Sequence, residues 1–184
     1  MTVISRLLSE PERRILATAL ESKWSRVAGF DMPRSNFAWD SVSVETSSTQ
    51  FTITAQLDSL DFEGFSDDYA RLTIATEISG ASASEEHQSY FHGQGQEVRS
   101  VWIVRDSVTS SADNAVFSYI VDVAIAFELD NGWIAIGLGS HRTEALAVCR
   151  AATRDLLDLP HLEDRWLSTL IQTYDYRHEW VEIS

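Results

Sequence analysis

The chain has 184 residues, 44% of them hydrophobic and 10% aromatic, with six Trp. That is enough apolar bulk for one folded domain over residues 1–184 and too much for a disordered chain. Twenty-eight Asp and Glu against fourteen Lys and Arg leave a formal net charge of −14, a field that repels phosphate backbones and anionic membranes and so argues against nucleic acid or membrane as a partner.

The opening "MTVISRLLSEPERR" lacks the apolar run of a signal peptide, and no segment reaches the roughly 18 apolar residues of a membrane span. A cytoplasmic location is expected. Cys149, the single cysteine, can form no internal disulfide. Set among Ala, Leu and Val in "EALAVCRAA", it reads as a buried structural thiol rather than a nucleophile.

In chain order, the first element is a helix. Ser9 with Glu12 three residues on is a capping box, Pro11 suits a first turn, and Ile15, Leu16, Ala19, Leu20, Trp24 and Val27 recur at helical spacing up to Gly29. From residue 40 the period falls to two. Val42 and Val44, then Phe51, Ile53, Ala55 and Leu57, predict two strands joined by a hairpin loop at "TSST", and "YARLTIATEI" predicts a third. "EVRSVWIVRDSV" is a further strand. Phe117, Tyr119, Val121, Val123, Ile125, Phe127 and Leu129 form an unbroken alternating series that ends at Asn131-Gly132, so two long antiparallel strands meet there. After Gly139 helical spacing returns in Leu146, Cys149, Ala152 and Leu156, with a strand over 145–152 as the alternative. Beyond Pro160, Leu162, Trp166, Leu170 and Tyr174 suggest a second helix. The fold class expected is α+β: an amino-terminal helix, a mainly antiparallel sheet of five or six strands, and carboxy-terminal helices on one face.

Four stretches bear on chemistry. "GLGSHRTEA", residues 137–145, has the look of a phosphate cradle at a helix start, but it lacks the Lys-Ser or Lys-Thr of a P-loop and the third glycine of a dinucleotide site. A helix capped by Ser140 or Thr143 explains it better. His87 and His92 lack a ligand spacing, so no metal and no cofactor is expected. Asp122 sits between Ile120 and Ala124 on the second face of the long strand. It would be a general base if buried and unpaired; Arg99, Arg105 and Arg142 are the partners that would neutralise it. "LDSLDFEGFSDDY" is dense in acid: Asp58, Asp61, Glu63, Asp67 and Asp68 interleave with Phe62 and Phe65.

The acid is unevenly spread. Residues 37–113 carry three basic and thirteen acidic side chains, whereas residues 1–36 carry six basic and four acidic. Binding is therefore favoured over catalysis. The expected function is an acidic protein that docks a basic protein partner, as an immunity protein neutralises a cationic toxin or nuclease. Its partner surface would comprise Asp58, Asp61, Phe62, Glu63, Phe65, Asp67 and Asp68. The alternatives are a small-molecule site or enzyme cleft near Asp122, Trp133, His141 and Arg142, and a structural or assembly subunit. The sequence does not fix an oligomeric state.

Overall fold

A computed structural model describes residues 2–30, 37–62, 65–76, 87–90, 93–110, 117–139, 143–159 and 174–184. Its elements are β1 (Thr2–Arg6), α1 (Glu10–Ala17), β2 (Trp24–Phe30), β3 (Phe37–Thr46), β4 (Gln50–Phe62), β5 (Phe65–Thr76), β6 (His87–Tyr90), β7 (Val98–Ser110), β8 (Phe117–Leu129), β9 (Gly132–Leu138), β10 (Ala145–Ala151) and β11 (Tyr174–Ile183). All eleven strands belong to one sheet, whose main path runs β11-β7-β8-β9-β10-β3-β2-β6.

This overturns the α+β expectation. Among the described residues the protein is mostly β, with ten antiparallel-paired strands, the parallel β1, and a single α-helix. Two misread segments account for much of the difference. Helical spacing in Trp24 and Val27 is coincidental: the helix stops at Ala17, Glu21 takes a left-handed φ of 58°, and the chain re-enters the sheet as β2. The expected helix after Gly139 is β10, and Ala145, Leu146, Ala147 and Val148 in succession are buried. Strands covered on both faces lose their alternation. The second carboxy-terminal helix falls on 160–173, outside the described residues, and Tyr174 opens β11 instead.

Other expectations hold. β8 and β9 pair antiparallel from Ala124↔Gly137 to Leu129↔Gly132, so the two-residue turn is Asp130-Asn131, one position earlier than expected. Gly132, at φ 138°, opens β9, and a Cβ there would stand 2.8 Å from the Ala151 carbonyl oxygen. The start of α1 is where the capping box placed it: Glu12 Oε2 accepts from the Ser9 backbone N–H at 2.7 Å. The other oxygen of Glu12 accepts from Ile74 N–H at 3.0 Å, which satisfies a donor on the edge strand β5.

Two strands change neighbours part-way along an edge. β2 occupies one edge of β3, so β10 (at Phe37–Trp39) and β4 (at Ser41–Glu45) share the other. Asp40, with a left-handed φ of 63°, marks the change. On β8, β9 pairs residues 124–129, and β1, running parallel, pairs 117–121. Between these ladders lie Asp122 and Val123. One hydrophobic core unites the strands, with Trp24 and Phe127 in contact at 5.1 Å between ring centroids and Tyr69 reaching Tyr119 at 5.7 Å.

Candidate functional site

The sequence pointed to Asp122, and the structure makes it a buried joint. Asp122 is 1% exposed. One carboxylate oxygen accepts from Leu8 N–H at 2.8 Å, and the other accepts from Arg105 Nε at 2.8 Å. The carboxylate thus closes the gap where β1 leaves β8, and an ion pair offsets its desolvation. Trp133 lies opposite Glu128. Six residues of strand, about 20 Å, separate that point from Asp122. His141 and Arg142 lie outside the described residues. The opening of "GLGSHRTEA" is also changed in kind: it joins β9 to β10, with Gly139 N–H donating to Ala145 O at 2.7 Å. No helix follows it, so the expected helix caps at Ser140 and Thr143 and the helix-dipole anion cradle both fall away.

The acidic stretch 58–68 is a β-hairpin rather than a loop. Ser59 pairs with Asp68, Leu60 with Asp67, Asp61 with Ser66 and Phe62 with Phe65, which gathers the expected residues at one end of the β4–β5 pair. Glu63, and the side chains of Asp61, Phe62, Phe65 and Asp67, lie outside what is described. Asp58 faces inward on the molecule's own account. Its Oδ2 lies 3.2 Å from Arg6 Nε and 2.7 Å from Arg71 Nε. It ties β1 and β5 together beside the Tyr69–Tyr119 contact. Burial pushes the Tyr119 phenol well above the usual tyrosine range, with Arg6 pulling the other way.

A second polar site escaped the sequence reading. Asp106 on β7 is fully buried, and its Oδ1 lies 2.7 Å from Nδ1 of His178 on β11, with which it is register-paired. Tyr176 Oη lies 3.4 Å from the same nitrogen. A buried carboxylate can orient an imidazole for proton transfer, and equally the imidazole can neutralise the carboxylate. Along the same face Trp180 packs edge-on to Trp133, and the Arg154 guanidinium lies over both Trp102 and Trp180. The signal was available: Trp102, Val104 and Asp106, and Tyr176, His178 and Trp180, each recur at spacing two. Nothing in the sequence marks Arg154.

Cys149 is held as a thiol. Its Sγ donates to Asp158 O at 2.8 Å, and burial pushes its pKa up to about 11. Among the described residues no group of three His, Cys, Asp or Glu is arranged to hold a metal ion, and no helix is long and apolar enough to cross a membrane. Comparison with protein-family models, curated proteins and solved structures finds no match.

Proposed function

We propose that the protein is a non-enzymatic, cytoplasmic binding protein whose acidic surface docks a basic protein, in the manner of an immunity protein that neutralises a cationic toxin or nuclease. The observation that carries this reading is the β4–β5 register. It draws Asp61, Asp67 and Asp68 to one hairpin end, with Phe62 and Phe65 as its last pair, in a chain of net charge −14. Carboxylates collected there steer a basic partner and set its register, and aromatic residues among them supply anchors. Asp122 and Asp106 support the reading from the other side, since each is committed to a cationic or imidazole partner within the fold.

The test is affinity capture from the native cell with the wild-type chain and with an Asp61→Asn, Glu63→Gln, Asp67→Asn, Asp68→Asn variant. The wild type should retain a basic protein at low salt and release it as salt is raised, because such attraction is screened over about 8 to 10 Å. The folded variant should retain much less. An identical captured set from both overturns the proposal.

A further inference from the structure

Trp102 on β7 and Trp180 on β11, with Trp133 on β9 packed against Trp180, form a clamp at the Arg154 guanidinium, and each of its two walls has partners other than Arg154. Trp102 donates its Nε1–H to Ser100 Oγ at 2.8 Å, and Ser100 Oγ donates in turn to Glu128 Oε2 at 2.6 Å. Trp180 is braced by Trp133, edge-on at 6.2 Å between centroids, and by His178 at 6.3 Å.

The present occupant is held far more loosely. Arg154 lies 5.7 Å from the Trp102 ring centroid and 5.3 Å from that of Trp180, within the roughly 6 Å over which a ring face attracts a cation. Yet it sits on the three-residue 3-10 turn Arg154–Leu156, which buries none of its residues. Its side chain is 44% exposed, and its ion pair is a 3.9 Å contact with neighbouring Asp155.

Braced indole walls beside a loosely tethered guanidinium are the arrangement of a binding site filled by a placeholder. We propose that the Trp102–Trp180 clamp is a binding site for an arginine side chain of a partner, and that Arg154 occupies it in the free protein. A planar guanidinium stacks on indole in a way that a compact ammonium does not. Exposed Glu182 on β11, register-paired with Trp102, adds to the field that concentrates cations there. The incoming arginine must displace Arg154, so removing Arg154 should raise affinity. The clamp stands on β7 and β11, neither of which pairs with β4 or β5, so it and the hairpin surface can fail separately.

The experiment is an NMR titration of the indole N–H signals with N-acetyl-arginine amide, against N-acetyl-lysine amide and sodium chloride at equal ionic strength. The arginine probe should shift the Trp102 and Trp180 signals saturably. Arg154→Ala should bind it roughly fivefold tighter or more, and Trp180→Ala should not bind. If Arg154→Ala alters the melting curve, Arg154→Gln keeps the chain length without the charge and gives the same comparison. Equal affinity in wild type and both Arg154 variants, shifts reproduced by sodium chloride, or no saturable shift in any variant would overturn the proposal.

Discussion

Asp122, between two ladders of the sheet, and the carboxylates at the end of the β4–β5 hairpin are the same chemical group in two different settings. Asp122 lies between two ladders on β8, 1% exposed, with Arg105 and a backbone N–H as partners. Asp61, Asp67 and Asp68 share a hairpin end where, from Ala55 outward, β4 pairs only with β5. The first arrangement converts charge into a structural joint, because removal of either partner strands the other in a medium that solvates it poorly. Under the proposed function, the second collects carboxylates that would act on a partner over distance. The contrast teaches that an acidic residue in an apolar strand and one in an acidic run carry different weights, and that mutation should separate them.

The largest effect is expected at the joint. Asp122→Ala leaves Arg105 and Leu8 N–H without their carboxylate and should lower stability by about 3–5 kcal/mol, measured by urea unfolding. A paired Asp122→Leu, Arg105→Met replacement should cost less than the single change; a double variant as unstable as the single would show that the ion pair is not what matters there.

His178→Ala should come next. It removes a hydrogen bond to a buried carboxylate, worth about 1.5–3 kcal/mol, and loosens β11. Hydrogen exchange should show increased opening of β11 amides before those of β8.

Tyr119 extends the comparison to high pH. Its folded-state pKa is raised, chiefly by burial, so the neutral phenol contributes stability below the unfolded pKa of about 10, and that stability is lost as pH rises above it. The melting temperature should therefore fall more steeply between pH 9 and 11, on the order of the range set by the unfolded phenol, in the wild type than in Tyr119→Phe. The smallest effect on stability should come from the fourfold neutralised hairpin, where each change should stay within about 0.5 kcal/mol. A loss comparable with that of Asp122→Ala would erase the distinction between the two regions.

Where the sequence was legible, large apolar residues kept to one face of an element or a special backbone position was required; β8 kept its alternation although residues 121–127 are all buried, because Asp122, Ala124 and Ala126 stand between the larger side chains. The alternation from Phe117 to Leu129 and the Asn131-Gly132 signal located β8 and β9, and Ser9 with Glu12 located the start of α1. Legibility failed where apolar residues fill both faces without alternating in size or polarity, or where pairing is remote. "ALAVCRA" lost its alternation because its first four residues are all buried. Thr2–Arg6 is too short to show a period, and its partner lies far along the chain. For the site, an acidic cluster could be read from composition, but its assembly at a hairpin end required the register. Asp122 was visible as an anomaly and Arg105 as one of its three candidate partners, but choosing Arg105 over Arg99 and Arg142 required the register, with its shift between Val104 and Arg105. The Trp102–Trp180 clamp joins strands separated by most of the second half of the chain, and the spacing-two runs through Trp102 and Trp180 do not show that those strands pair.

The parallel seam between β1 and β8 bears on the order in which the chain can assemble. The Leu8–Asp122 hydrogen bond spans 114 positions, and each pair between residues 2–6 and 117–121 spans one more. Contacts that close so long a loop are slow to form. During synthesis β1 emerges well ahead of the strand that will hold it, so it must wait as an unpaired edge, open to mispairing, until β8 arrives. Arg6 and Ser5 put polar side chains on that waiting edge, and Asp122 is in place to lock it once β8 is made.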